Sequence, residues 1–439
     1  MSNPQIDTLG LAACRGCDLL YYEKSLTGGK KLRCPRCGTT LRTAIPDSLN
    51  KTLALSLTGL LLIIPAMYMP IMTFTVMGLK GTGNVIDATR VMFLKGFPFV
   101  GSMVLLASIL FPVAKLALLF WVAFSLKVQR YWSNLPLLFR TYKHLAEWGM
   151  VEVYMLGILV SIIKMYSMAH IDYNTGFFCF IALVVITVGS SAVLDEDLFW
   201  KLMEQKGILN NDSKPSGSSA ALPRTAMEAG LVRCEDCGKI VRQIQAAPDE
   251  VVRCPRCRAE LHSRKPRSIS RTWALVLSAA VFYLPANILP MMRVDFLGTP
   301  DDETILDGII YFFQTGDFLV GGIILTASVL VPLFKMVGII LILLSIHLNW
   351  SGWMKHKAGM FRFIEFIGRW SFLDIFVIAL LGAMVRFGSL TTITADPAAP
   401  YFTAVVVSTM FAALAFDPRL LWDSHNHITS SKEKGLNHV

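Results

Sequence analysis

Eight of the nine cysteines in this 439-residue chain fall into four CxxC pairs. Cys14, Cys17, Cys34 and Cys37 form one set. Cys234, Cys237, Cys254 and Cys257 repeat it, with sixteen residues between the pairs each time and Cys-Pro-Arg-Cys as the second pair. Four thiolates at this spacing suit a tetrahedral structural zinc in a small β ribbon of two hairpin knuckles. With all four positions filled by protein, such a site stabilises a fold too small to bury its own core and leaves no place for substrate. A redox role for the CxxC pairs and an iron–sulfur centre are the alternatives. Cys179 lies in an apolar run and is expected to pack. Arg33, Arg36 and Arg42, and Arg253, Arg256 and Arg258, give each ribbon a basic face. Anionic headgroups are the expected neighbour of such faces, and no nucleic-acid partner is expected.

A second set of reactive side chains sits inside long apolar stretches. Lys115 and Lys335 each follow a serine (Ser108, Ser328) by seven residues and a proline by three, so each serine and lysine share a helix face. Glu152 and Asp374 occupy equivalent positions further on. Ser371 stands one turn before Asp374, and Thr409 offers a hydroxyl in the last apolar stretch. Charges at that depth are costly, and they pair with one another or mark a path for protons, ions or substrate. A buried Lys–Asp pair that only fixes helix packing is the alternative. Lys164 and Arg386, near span ends, are expected to snorkel.

The elements that must position these residues follow from composition. The chain is 54% hydrophobic and 16% charged with a net charge of +10, which excludes disorder and disfavours a soluble enzyme. The apolar residues gather into eight runs long enough to span a bilayer: 52–76, 98–126, 144–166 and 175–194, then 272–295, 318–347, 363–387 and 399–416. The runs belong to a tandem duplication. An offset of 220 residues carries the first cysteine set, Pro65, Pro70 and Lys115 onto Cys234–Cys257, Pro285, Pro290 and Lys335. An offset of 222 carries Trp148, Glu152 and Trp200 onto Trp370, Asp374 and Trp422. The expected fold is a polytopic α-helical membrane protein, each half a small cytoplasmic zinc ribbon followed by four spans. Its parts are ribbon 1 (1–48), module 1 (49–196), a flexible linker (197–230), ribbon 2 (231–268), module 2 (269–420) and a tail (421–439). Spans one and five, with internal prolines, are expected to kink near Pro65 and Pro285 or to end early and re-enter.

Lys127, Arg130, Arg140 and Lys143, and later Lys355, Lys357 and Arg362, lie between spans two and three and between spans six and seven. The stretch from Phe296 to Asp317 has no Lys or Arg. This places both termini and both ribbons in the cytoplasm, against which Lys80, Arg90 and Lys95 on the opposite side are the exception. Leu11-Ala12-Ala13-Cys14 resembles the end of a lipoprotein signal, but Asp7 interrupts the region that should be apolar, so the first span is expected to act as the insertion signal. No phosphate-binding loop, nucleophile elbow or HExxH occurs, and no catalytic residue is expected.

Tyr283-Leu-Pro-Ala-Asn-Ile-Leu-Pro290, Gly368-Arg-Trp-Ser-Phe-Leu-Asp374 and Phe416-Asp-Pro-Arg-Leu-Leu-Trp-Asp423, together with two CxxC ribbons each leading into four spans, resemble the paraquat-inducible protein A family. The first half matches more loosely, with Trp148-Gly-Met-Val-Glu152 where the second has Trp-Ser-Phe-Leu-Asp. The resemblance implies an inner-membrane protein of a Gram-negative envelope that works with a periplasmic MCE-domain tunnel partner. It also implies movement of phospholipid between the two membranes. Ser328, Lys335, Ser371, Asp374 and Thr409 would then form the proton or conformational coupling network, with Ser108, Lys115 and Glu152 as its first-half counterpart. A non-transporting anchor for the tunnel and a zinc- or redox-sensing regulator are the competing readings.

Overall fold

The structure is a computed structural model that describes residues 10–22, 30–76, 79–130, 132, 134–165, 170–205, 224–242, 252–296, 299–350, 352–384 and 391–423. The first ribbon is two hairpins, β1 (Leu11–Ala13) with β2 (Leu20–Tyr22) and β3 (Lys31–Arg33) with β4 (Thr40–Thr43). Span one, α1 (Ser48–Tyr68), leads to strands β5 (Met72–Val76) and β6 (Leu79–Gly83) and to a short helix, α2 (Val85–Leu94). Span two joins α3 (Pro98–Leu105) to α4 (Phe111–Val128), and span three joins α5 (Leu135–Ala146) to α6 (Val151–Met165). Strand β7 (His170–Tyr173), span four, α7 (Thr175–Ala192), and α8 (Glu196–Gln205) complete the first half.

The second half repeats the path. Strands β8 (Leu231–Arg233) and β9 (Ile240–Arg242) pair in ribbon 2, and α9 (Ser268–Ile288) is span five. Strands β10 (Met292–Phe296) and β11 (Thr299–Glu303) precede α10 (Ile305–Gln314). Helices α11 (Phe318–Ile324) and α12 (Val331–His347) form span six. Helices α13 (Met354–Gly368) and α14 (Leu373–Met384) form span seven. Strand β12 (Thr391–Ala395) and span eight, α15 (Ala398–Ala415), follow. Eight helical segments are long and apolar enough to cross a membrane. One face carries the ribbons. The other carries two three-stranded antiparallel sheets, ordered β6-β5-β7 and β11-β10-β12.

The central strands of these sheets, β5 and β10, occupy sequence expected to be the ends of spans one and five. Helices α1 and α9 run through Pro65 and Pro285 and stop at Tyr68 and Ile288, before Pro70 and Pro290. The chain then leaves the helix for an extended strand rather than re-entering. The residue before a proline is driven out of the α region, and Thr73, Phe74, Thr75 and Val76 favour a strand.

The real interruptions lie in spans two, three, six and seven. Leu106–Leu110 and Leu325–Leu330 are π-helical turns immediately before Pro112 and Pro332. Each proline lacks an N–H and its ring crowds the carbonyl four residues back, so one extra residue is accommodated there. Carbonyls in both turns take donors from other spans: Ala107 accepts from the Met150 N–H at 3.2 Å, and Val329 accepts from the Tyr283 hydroxyl at 3.3 Å. That internal satisfaction is what a hydrocarbon environment demands of broken helices.

The two modules meet along α6 and α14. Tyr154 and Phe376, equivalent under the repeat, pack edge to face with ring centroids 5.1 Å apart, so the pseudo-two-fold axis passes between them. Gly157 allows the approach, since a Cβ there would lie 3.1 Å from that of Phe376.

Each ribbon seats mainly on the opposite module. The first cysteine set packs among Phe361, Phe416 and Trp422 of the second half, while the second packs among Phe139, Tyr142, Phe199 and Trp200 of the first. The exchange repeats in detail: Arg36 lies over the Trp422 ring and Arg256 over the Trp200 ring. Arg362 donates to Thr39, and Arg140 pairs with Asp236 at 2.6 Å. The cationic segments between spans two and three and between spans six and seven therefore lie on the ribbon face. The linker expected over 197–230 opens instead with α8, whose Phe199, Trp200 and Met203 are buried beneath ribbon 2. The tail expected from 421 likewise begins with the packed Leu421 and Trp422. Residues 206–223 and 424–439 lie outside the described residues, as does Arg386 and the side chain of Lys164.

Candidate functional site

Two groups of side chains can do chemistry, one in the ribbons and one between the spans. In each ribbon the tight turns after the first cysteine of each pair bring four buried thiols together, all Sγ atoms within 4.8 Å of one another and none in a disulfide. Sγ separations of 3.5 Å join Cys14 to Cys37, Cys17 to Cys34, Cys234 to Cys257 and Cys237 to Cys254. A tetrahedron with metal–sulfur bonds of about 2.3 Å has edges of about 3.8 Å. Both quartets thus fit one metal ion with no open position, and the all-sulfur donor set suits a soft or borderline ion. Cys179 packs against the edge of the membrane core, away from both quartets.

In the second half, the π turn in span six faces a 3₁₀ turn, Arg369–Phe372, that separates α13 from α14. Ser328 and Ser371 lie in these two irregular turns. Both hydroxyls are buried and neither has a hydrogen-bond partner among the described residues. Such a group costs about 1–3 kcal/mol. Lys335, 1% exposed, donates to the Thr409 hydroxyl at 3.0 Å, and Thr409 in turn donates to the Val406 carbonyl. No ion pair joins Lys335 to Asp374. Asp374 instead lines a cavity of about 70 Å³ together with Ser328, walled by Met291, Ile305, Phe312 and Val377 and edged by Thr304 at the start of α10. It lies toward the sheet face between α6, α10 and α14.

The first-half counterparts are arranged differently. Ser108 donates to the Val104 carbonyl at 2.6 Å. Glu152 approaches Arg369 of the second half at 3.9 Å, and Lys115 is buried with its aliphatic stem against Gly149. On the sheet face α2 packs along α14, with Val85, Ala88 and Met92 fully buried, which closes the space equivalent to the cavity. Helix α10 buries Ile305, Ile309 and Phe312 but leaves Leu306, Ile310 and Tyr311 exposed.

Tyr154 and Arg369 were not singled out by sequence reasoning. Tyr154 is wholly buried on the pseudo-axis with no hydrogen-bond partner for its hydroxyl among the described residues. The available signal was its alignment with Phe376, a polar atom added to a repeat position that otherwise needs only a ring.

Comparison with known proteins adds the family. The sequence profile described as "Paraquat-inducible protein A" matches twice, over residues 49–204 and 269–426. The chain is 32% identical over 424 residues to the Intermembrane transport protein PqiA of Escherichia coli (strain K12), covering 93% of this chain and 95% of the relative. It is 31% identical to the Lipophilic envelope-spanning tunnel protein A of the same strain, covering 94% and 91%. A Probable intermembrane transport protein of Haemophilus influenzae is 26% identical over 96% of this chain and 97% of its own. No solved structure matches. With both repeats matched and two relatives above 30% identity along nearly their whole length, this multi-pass membrane protein belongs to the paraquat-inducible protein A family.

Proposed function

We propose that the protein is the inner-membrane subunit of a system that moves phospholipid between the membranes of a Gram-negative envelope, with the ribbon face in the cytoplasm. It takes lipid into the space between α6, α10 and α14 and passes it to a periplasmic MCE-domain partner on the sheet face. The relatives' names support the transport role, and the cationic loops beside the ribbons support the orientation. The observation that carries the reading is the apolar cavity with Ser328 and Asp374 in its wall. At about 70 Å³ it holds a few waters or the tip of an acyl chain. Loading a whole lipid therefore requires α10 to swing from its seat, and the hydroxyls of Ser328 and Ser371, which have no partner among the described residues, are suited to be satisfied differently in the two states. The chain's own contribution is a protonatable pair, Asp374 and Lys335, held on separate helices beside two hydroxyls, Ser328 and Ser371, that have no partner among the described residues. A change of proton occupancy there alters which helix each can bind.

Each ribbon holds one structural zinc through Cys14, Cys17, Cys34 and Cys37 or through Cys234, Cys237, Cys254 and Cys257. The exchange of ribbons makes these metals clamps that tie each module to the other. A photoreactive residue at Val377, in cells, tests the reading. Lipid cross-linked there supports it, whereas cross-linking only to protein, with Val281 on the exposed face of α9 as the lipid-facing control, favours the non-transporting anchor.

A further inference from the structure

The ribbon face carries a second and larger cavity, about 390 Å³, at the seam between ribbon 2 and α5. Its acids are already engaged. Asp236 pairs with Arg140 at 2.6 Å and with His144 at 3.3 Å, Glu235 pairs with Arg419 at 2.7 Å, and Glu260 stands 3.7 Å from His262. Three of its cations are not engaged: Arg233, Arg253 and Arg258 line the cavity, and the guanidinium of none of them has a hydrogen bond or ion pair among the described residues. Arg233 is half-buried, with the guanidiniums of Arg15 and Arg419 acting against its charge and Tyr21 and Cys14 acting for it. Arg253 and Arg258 are exposed, and Cys234, Glu235, Asp236 and Glu260 share the wall; an entering anion would be drawn by the three guanidiniums that these groups leave without a direct partner among the described residues.

The donor set narrows the anion. A carboxylate presents two oxygens and is saturated by one or two forked guanidiniums, whereas a phosphate group presents enough oxygens for three at once. The space is larger than a bare tetrahedral ion needs and leaves room for what the phosphate is attached to. Lys265, also in the wall, lies three residues before α9, so the cavity stands at the level where span five begins. We propose that this cavity is a binding site for a phosphate-bearing anion, gripped by Arg233, Arg253 and Arg258. A lipid headgroup of the adjacent leaflet and free phosphate share that chemistry. This site is separate from the cavity between the spans and stands whether or not that one carries lipid.

The test uses the full chain in a neutral detergent. Binding of radiolabelled inorganic phosphate and its displacement by dihexanoyl phosphatidylglycerol are measured for the wild type, for R233Q, and for triple variants with Gln or with Lys at 233, 253 and 258. Zinc content is assayed in each, because Arg253 and Arg258 neighbour metal ligands. Losing a charge-assisted bond costs about tenfold in affinity or more, so R233Q should bind at least tenfold more weakly and the Lys triple should retain much of the affinity. Saturable phosphate binding weakened in this way supports the proposal with free phosphate as ligand. Displacement by the lipid at concentrations far below those of competing phosphate supports it with the headgroup as ligand. Absence of binding by either probe, or binding by R233Q equal to the wild type at full zinc content, overturns it.

Discussion

In the first repeat Ser108 satisfies itself on the Val104 carbonyl, Glu152 leans on Arg369, and α2 closes over α14. In the second repeat Ser328 and Ser371 have no partner among the described residues, Lys335 reaches only a threonine, and a cavity separates α10 from α14 and α6. The two halves share a chain path, the same π turn before the same proline, and the same exchanged ribbon. They differ in where polar groups are left unsatisfied. A hydroxyl that can donate to a carbonyl one turn back, as Ser108 does, gains that bond at little cost. Ser328, on the equivalent π turn, does not do so and faces the cavity. On the function proposed above, one repeat serves as a fixed frame and the other holds the parts that change state.

The largest expected effect comes from the metal clamps. Structural zinc contributes on the order of 10 kcal/mol or more to small cysteine domains, so Cys17→Ser or Cys237→Ser should unfold its ribbon. Because the ribbons are exchanged, Cys17→Ser should expose the second module to limited proteolysis first, and Cys237→Ser the first module. Cleavage of the module that follows each mutated ribbon in sequence would break the exchanged arrangement.

Next come the ionisable residues between the spans. Asp374→Asn and Lys335→Met should each lower transport at least tenfold at undiminished protein level, whereas Glu152→Gln should cost less, since Glu152 is already placed between the cations of Arg369 and Lys115. Lipid transfer assayed at matched abundance decides the order, and equal losses at 152 and 374 would erase the functional distinction between the halves.

How far this asymmetry was legible in the sequence depends on range. Eight apolar runs, two cysteine quartets and the repeat offsets are local patterns, and each marks its own element directly. The charged residues within the spans stood out because hydrocarbon tolerates so few. The strands at 72–76 and 292–296 were hidden because Val and Phe raise hydropathy as well as β propensity. The exchange of ribbons left no local trace at all. Trp200 and Trp422 are equivalent under the repeat, and only packing decides which ribbon each receives. The same holds for Ser108 and Ser328, identical residues at identical positions that end in different states.

That serine pair supplies a finer test. Ser108→Ala removes a hydrogen bond worth about 1 kcal/mol and should lower thermal stability slightly with transport preserved. Ser328→Ala removes a buried hydroxyl that has no partner among the described residues and should leave stability unchanged or raised by about 1 kcal/mol, while transport falls. Measured side by side, Ser108→Ala should lose melting temperature but not transfer rate, and Ser328→Ala transfer rate but not melting temperature. Parallel losses would mean that Ser328 is as structural as Ser108.

The smallest effect separates the two ribbon seats by pH. Glu204 on α8 is partly desolvated, which alone would raise its carboxyl. The hydrogen bonds and charge of Arg256, with Lys239 3.3 Å away, outweigh that and hold it below its ordinary value of 4.5. A depressed carboxyl contributes stability that is fully present above the unfolded value and is lost as pH falls through the folded one. Ribbon 2 should therefore loosen from α8 only below about pH 4.5, by about 1 kcal/mol for a pair still in partial contact with water. Asn426 occupies the repeat position equivalent to Glu204, so this carboxylate has no counterpart in the sequence of the first ribbon's seat. Acid also strips zinc from both quartets, and Glu204→Gln separates the two causes because it removes only the seat-specific part. Cross-linking yield between ribbon 2 and α8 should fall earlier in an acid titration than yield between ribbon 1 and Trp422, and the gap should vanish in Glu204→Gln. A gap that persists in the variant would place the acid sensitivity in the metal site instead of the seat.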